Sequence, residues 1–511
     1  MARLKELPLH VWPPARWSKP LGVLFMNSRR CALLIAFAAF FALTSCSGVK
    51  NGFGGGGGGS GNATLNLTLA AVPLTPPPGT SILSFAVSIT SVSLTPSTGG
   101  SDVVIPLNSS SYSVDLTRLQ SDSAFLGQLK AGVPSGTYNQ LSVNLDALVT
   151  YCTATSGTQG CNTGSVAQFT KSFATPTTSN FTLTLAANQQ AGLRVQINFA
   201  NALTVNSSTQ AVTGVNLTAA NVVTTLSLPP ATSTLSSGQL DYIEDVTGVV
   251  TAASLSSVTV QTATRGTITS AVTSTTLASP NCVIQNQPCT ATVGQIASFD
   301  ATLNSDGTST MLQYDPLSNT SLDVIEGIVT TLNTSTTQFQ IVANDFVAAT
   351  SGTNISGLNL GDPVNVTLTA TVKPFLVDTK GLPTFGTFSG STSATSILPG
   401  QTVALHITSF TAKSGTTPAF AQADIVVLRF TRVAGSVTNS TGATFSLQSL
   451  PPFFGVVGSL QVQTSTGTPI TYLDGYTSTG NISTGDNVGV RALFFGRGTA
   501  PSFTAAKVRK N

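Results

Sequence analysis

Leu65-Asn66-Leu67-Thr68-Leu69, Phe85-Ala86-Val87-Ser88-Ile89, Leu141-Ser142-Val143-Asn144-Leu145, Phe181-Thr182-Leu183-Thr184-Leu185 and Val195-Gln196-Ile197-Asn198-Phe199 share one pattern, with a large apolar residue at every second position. A period of two puts alternate residues on opposite faces of an extended chain, so these stretches predict half-buried antiparallel strands. The intervening positions are mostly Thr, Ser, Asn and Gln rather than charges, which keeps β propensity high and offers cross-strand hydroxyl pairs. One short helix is predicted over Leu116 to Leu126, where Leu116, Leu119, Phe125 and Leu126 form a rough stripe. The fold class expected is therefore all-β.

Working outward, the 511 residues include 22 Lys+Arg and 19 Asp+Glu, so 8% of the chain is charged, where soluble domains usually carry about a quarter. A nucleic-acid partner needs a dense basic face and an acidic disordered tail needs a charge excess; neither exists here. Catalytic side chains are scarce too. The two histidines are His10 and His406, and His406 lies in a Leu405-His406-Ile407 strand pattern that reads as structural. No G-x-S-x-G, H-E-x-x-H or Walker A pattern occurs. The match Ser47 to Lys50 to S-x-x-K falls in a glycine-rich segment that could not orient the pair. Asp306-Gly307, Asp474-Gly475 and Gly485-Asp486 suit hairpin turns better than calcium loops. The acids are scattered singly. We therefore expect no catalytic residue, no metal ligand and no cofactor.

The amino terminus has the order of an export signal: Arg29-Arg30, then the apolar run Ala32 to Leu43. Twelve residues is too short to span a bilayer, which takes roughly 20. The run ends in Leu43-Thr44-Ser45-Cys46, which resembles the lipobox of bacterial lipoproteins, in which the Cys becomes lipidated and N-terminal. The resemblance implies a signal peptide over 1–45, with Met26 a second candidate start, and lipidation at Cys46. Ser47 follows, where Asp would resemble an inner-membrane retention signal, so an outer-membrane lipoprotein is expected, facing the periplasm or the surface. Residues 46–61, with Gly54 to Gly59, read as a flexible tether reaching roughly 20 Å. Membrane attachment would rest on lipid and not on a basic patch.

Four other cysteines form two close pairs, Cys152/Cys161 and Cys282/Cys289. In an oxidising exported compartment local disulfides are expected, each stabilising by roughly 2.5 kcal/mol. Neither spacing is C-x-x-C.

Ile89 to Leu94, Val114-Asp115-Leu116-Thr117-Arg118-Leu119 and Val133-Pro134-Ser135-Gly136-Thr137-Tyr138 resemble an uncharacterised domain of bacterial exported lipoproteins, known as a domain of unknown function, over about 62–226. The last piece is similar to the strand-entry turn of prealbumin-like sandwiches, which implies a β-sandwich and no active site.

Pro229-Pro230 and the Ser/Thr run after them suggest a linker over 227–240. Beyond it the chain repeats. Val246-Thr247-Gly248-Val249-Val250, Ile325-Glu326-Gly327-Ile328-Val329 and Val433-Ala434-Gly435-Ser436-Val437 open three segments. Each continues with an alternating strand and then a glycine turn, read at Gly294, Gly361 and Gly485. The glycines are unevenly spaced, so we expect tandem modules over 241–318, 319–431 and 432–511, the second carrying an insertion around Asp378 to Gly400 and a further Gly400-Gln401-Thr402-Val403 turn. These repeats resemble a second uncharacterised family of small β modules with an OB-like barrel pattern.

The function expected is a lipid-anchored, non-catalytic cell-envelope protein that is structural, adhesive or ligand-binding, with polysaccharide or envelope proteins as partners and no nucleic acid. One alternative is a carbohydrate-binding surface lipoprotein using Tyr472, Tyr476, Phe494 and Phe495 as stacking rings. Another is a hydrolase with two carboxylates of displaced pKa facing one cleft.

Overall fold

Each alternating stretch named above does form a strand, except that the last ends at Ile197, where Asn198 caps a short helix over Phe199–Ala202, and tertiary pairing decides what the two faces meet. The computed structural model describes residues 61–72, 80–153, 159–228, 239–274, 276–278, 291–318, 323–333, 337–350, 355–369, 375–383, 388, 397–455, 459–467, 471–497 and 501–510. Cys46, Cys282, Cys289, the expected signal peptide, the tether and most of the expected linker lie outside them.

The N-terminal domain has twelve strands: β1 (Ala63–Ala71), β2 (Thr80–Pro96), β3 (Val103–Ile105), β4 (Tyr112–Asp115), β5 (Ala124–Val133), β6 (Gly136–Thr153), β7 (Val166–Ser172), β8 (Thr177–Leu185), β9 (Gln190–Ile197), β10 (Leu203–Val205), β11 (Val212–Val215) and β12 (Val223–Leu228). β10 and β11 pair with each other alone; of the two larger sheets, one runs β12-β9-β1-β5 and the other runs β3-β2-β6-β7, with β4 beside β2 and β8 beside β6. Their inner faces share a core that includes Leu65, Leu67, Phe85, Val87, Leu141, Val143, Leu193 and Val195, which makes the domain a β-sandwich.

Two expectations are corrected here. The pairing of β1 with β9 is parallel, so the sandwich is mixed. The stretch Leu116 to Leu126 is not one helix: a 3-10 turn covers Leu116–Gln120, capped by the Asp115 carboxylate accepting from the Thr117 N–H at 2.9 Å, and Phe125 and Leu126 belong to β5. A strand partner, β1, outcompetes weak helical periodicity there.

Three closed barrels follow. The first comprises β13 (Gln239–Ala253), β14 (Ser257–Gln261), β15 (Thr267–Ala271), β16 (Leu277–Ala278), β17 (Ile296–Asn304) and β18 (Ser309–Ser318). The second comprises β19 (Asp323–Asn333), β20 (Gln338–Val347), β21 (Pro363–Leu368), β22 (Leu376–Val377), β23 (Thr402–Thr411) and β24 (Ala419–Arg429). The third comprises β25 (Thr431–Thr438), β26 (Thr444–Gln448), β27 (Leu460–Thr464), β28 (Tyr472–Asp474), β29 (Asn487–Phe494) and β30 (Phe503–Lys510). In each, the first strand pairs with the second and the fifth, the second with the third, the fifth with the sixth, and a parallel pairing of third with sixth closes the ring, the short fourth strand lying beside the sixth. That is the five-stranded OB-like connectivity.

The repeated glycine has a steric cause. A Cβ on Gly248, Gly327 or Gly435 would stand 2.5, 2.5 or 2.7 Å from a carbonyl oxygen of the neighbouring strand, at Gln261, Val342 or Gln448. The turn glycines need correcting. Gly294, Gly400 and Gly485 each precede the fifth strand and donate their N–H to Val250, Val329 and Val437 at 2.8–2.9 Å. Gly361 instead precedes the third strand and donates to Ala343, so Gly400 is the true counterpart in the second barrel.

Residues Gly59–Asn511 form one compact unit. Only Phe430, with no exposed surface, separates the end of β24 from the start of β25. Among the described residues no helix is long and apolar enough to cross a membrane.

Candidate functional site

Most of the described charged side chains are not on the surface. Arg118 and Asp122 leave the N-terminal domain around its 3-10 turn; Asp245, Arg265, Asp300 and Asp315 come from the first barrel, Glu326, Asp345, Asp378, Lys380 and Arg429 from the second, and Arg432, Arg491 and Lys507 from the third. All are buried. They form one continuous ion-pair cluster at the meeting point of the four β units, with equal numbers of cations and carboxylates. A buried charge without a partner is costly, so this balance is what makes the cluster tolerable.

Arg429 sits at its centre. It contacts Asp378, reaches Asp245 at 2.7 Å and Glu326 at 3.0 Å, and donates to Ser298 Oγ at 2.9 Å. Lys380, in the region expected to be an insertion, reaches three acids of the first barrel: Asp315 at 2.8 Å, Asp245 at 3.2 Å and Asp300 at 3.3 Å. Arg491 from the third barrel grips Asp300 through two hydrogen bonds of 2.7 and 2.8 Å. Arg118 ties the N-terminal domain to Glu326 and to Asp345, which also pairs with Arg265 at 2.9 Å. Lys507 approaches Asp122 at 3.2 Å. A smaller group adjoins: Arg194 of β9 binds Asp241 through two hydrogen bonds, and Arg509 binds Asp474 at 2.8 Å and approaches Asp241 at 3.6 Å.

Burial opposes ionisation throughout and neighbouring charges decide the outcome. At Asp245 burial would raise the pKa, yet Arg429, Lys380, Arg432 and Arg491 hold it well below the usual range. Glu326 is lowered in the same way, against burial, chiefly by Arg118 and Arg429, and Asp474 comes down to about 2 against burial through Arg509 and Arg194. Asp378 goes the other way: burial, then the Asp315 carboxylate, pushes it up to about 7 despite Arg429. Burial, then Arg118, lowers Arg432 to about 10, and burial lowers Lys507 to about 8.

Asp378, the acid raised in this way, adjoins the Asp315 carboxylate, but both residues are fully buried. The nearby cavity, about 40 Å³, is lined by Arg118, Gln120, Asn344, Thr402 and Arg432 and not by either acid. It has room for water-sized occupants only. No cleft leads substrate to the pair through that cavity.

The rings expected to stack on sugar are placed elsewhere. Phe494 has no exposed surface, and Tyr476 and Phe495 each retain 3%. Phe494 stacks on Phe503 at 4.7 Å, and the Tyr476 hydroxyl donates to Asp486 at 2.9 Å. Tyr472 is half-buried against Tyr242, centroids 5.7 Å apart. These rings fill the third barrel and its border, so three of the four offer no face to a ligand. His406 is also buried, with Nε2 at 2.5 Å from the Leu317 carbonyl oxygen.

Cys152 and Cys161 form a disulfide. Its loop bridges units: Gly160 N–H donates to Phe453 at 2.7 Å, Cys161 N–H to Thr330 at 2.8 Å, and the Gln159 amide to Pro399 at 2.8 Å.

Reading by sequence missed the cluster because its pairs are remote: Arg118 and Glu326 stand 208 residues apart. A usable signal existed. Arg429 and Arg432 flank the junction of two strands, and lone charges within otherwise apolar or Thr-rich strands, as at Asp300 and Arg491, suggest buried pairs when total charge is this low.

No curated protein and no solved structure matches the chain. Residues 62–225, the N-terminal sandwich, match the family model described as Domain of unknown function (DUF4382).

Proposed function

We propose that this chain is a lipid-anchored, non-catalytic component of a bacterial cell envelope, held at the outer membrane through Cys46 and exposing a rigid β body to the periplasm or the cell surface. The observation that carries the reading is the buried ion cluster. Catalysis by carboxylates needs an acid or base open to substrate, and the cluster's acids with displaced pKa values, Asp245, Glu326 and Asp378, are enclosed and matched against cations. Their role in this reading is to lock four β units into one body, which suits a structural or ligand-presenting component. The lipobox-like Leu43-Thr44-Ser45-Cys46 supports the anchor.

The test is fractionation of cells expressing the protein or its Cys46→Ala variant. The wild type is expected in the membrane pellet and the variant in the soluble fraction. A variant that stays in the pellet would sink the anchor. Protease treatment of intact against permeabilised cells then separates surface from periplasm.

A further inference from the structure

The second barrel carries an open groove of about 600 Å³ on the outer face of β20, β21 and β24. Its floor is an ordered row. Gln340 stands opposite Asn365, and Asn365 opposite Phe420, so amide, amide and ring lie side by side on three adjacent strands. Thr367 lines the next row opposite Gln338. Phe420 keeps 36% of its surface exposed, the one aromatic ring among the exposed large hydrophobic side chains of the described residues.

We propose that this groove binds a neutral oligosaccharide. No described residue lining it is charged, so among the described residues a charged ligand would surrender water without compensation, and a polyanion would find no cation. The barrel is closed, with β20 paired to β19 and β21, and β21 to β20 and β24. No free strand edge runs along the groove, so a peptide cannot add as a further strand and recognition falls to side chains. Carboxamides and hydroxyls donate and accept, as sugar hydroxyls do. The exposed ring offers a face for the C–H side of a pyranose. The volume lies in the range of small-ligand sites.

The groove is also set in place before any ligand arrives. The Gln340 amide donates to Asn365 Oδ1 at 2.9 Å, and the Thr330 hydroxyl donates to Gln340 Oε1 at 3.2 Å. The wall opposite, Thr163-Gly164, follows the Cys152–Cys161 disulfide, whose Cys161 accepts from the Thr331 hydroxyl at 3.3 Å. Little ordering is left for binding to impose. This site differs from the rings expected from sequence, and it stands whether or not Cys46 carries lipid.

The experiment is calorimetric titration of the full chain in detergent with cellotetraose, maltotetraose and chitotetraose, and with a tetragalacturonate as charged probe. At least one neutral probe is expected to bind, Phe420→Ala to weaken it about five- to tenfold, and the galacturonate not to compete. Asn365→Ala, at an exposed position, is the second variant should Phe420→Ala not fold, with loss of a similar size expected. The proposal is overturned if none of the neutral probes binds up to about 10 mM, if the galacturonate binds more tightly than they do, or if neither variant changes the affinity.

Discussion

Replacing Arg429 with Met keeps an unbranched side chain at a site with no exposed surface and removes the one cation that touches Asp245, Glu326 and Asp378 together. Breaking a buried pair from one side costs about 3–5 kcal/mol, because the remaining charge stays buried. Three carboxylates share the loss here, so we expect about 5 kcal/mol at pH 7.5, a large part of an ordinary folding free energy. With a urea slope of roughly 3 kcal/mol/M this lowers the midpoint by about 1.5 M. The dependence on pH has a definite sign. In the native chain Asp245 and Glu326 titrate below their unfolded values, so they contribute stability above about pH 4 that is lost as pH falls through the folded values. Without Arg429 their folded pKa values rise, so the variant lacks part of the stability these acids contribute above about pH 4. Asp378, already up at about 7, rises further without Arg429, which costs the variant stability near pH 7.5 and little at pH 5, where the group is protonated either way. Urea denaturation followed by circular dichroism should therefore show a larger deficit at pH 7.5 than at pH 5. Lys510→Met, which removes a 3.1 Å pair with Asp486 from a side chain 45% exposed, serves as control and should cost less than about 1 kcal/mol. A deficit for Arg429→Met below about 1 kcal/mol at pH 7.5, or one that grows on acidification, would refute the idea that the cluster holds the units together.

Two further outcomes follow from the packing. Gly327→Ala would drive a Cβ against the Val342 carbonyl and should cost about 1–3 kcal/mol, as should Gly248→Ala and Gly435→Ala, whereas Gly480→Ala, whose Cβ meets nothing closer than 3.7 Å, should be near neutral in the same urea assay. Replacing both Cys152 and Cys161 with Ala opens a loop of sequence separation 9 and should cost roughly 2.5 kcal/mol; thiol counting on the denatured, unreduced chain should leave both wild-type cysteines unreactive, and finding them alkylated would contradict the bond.

Strand identity was legible in this chain because alternation is a local property: Leu65, Leu67 and Leu69 could face one core whatever the rest of the molecule did. The three barrels were legible for a related reason. A carbonyl crossing the first strand excludes a Cβ, so the same glycine recurs at 248, 327 and 435, and the Cys152–Cys161 bond joins near neighbours along the chain. What failed was whatever depended on the partner. Leu116 to Leu126 divided into a turn and a strand because β1 supplied a pairing edge. Gly361 was taken for Gly400 because both open tight turns, and only the ladder tells which strand follows. Phe494 and Tyr476 have rings that would suit a surface or a core equally, and burial chose the core. The polar side of β1 looked like a solvent face, yet Thr68 donates to Asp241 of the first barrel at 3.0 Å. The charges are the largest case. Singly placed along the sequence, they look like ordinary solubilising residues, and only when the four units close on one another do Arg118, Arg429 and Arg491 meet carboxylates contributed by other parts of the chain. Local sequence determined the strands, turns and the near disulfide, since their causes act within a few residues. Tertiary structure alone decided which side chains met, since electrostatic pairing and burial depend on distance in space and leave no period in the sequence.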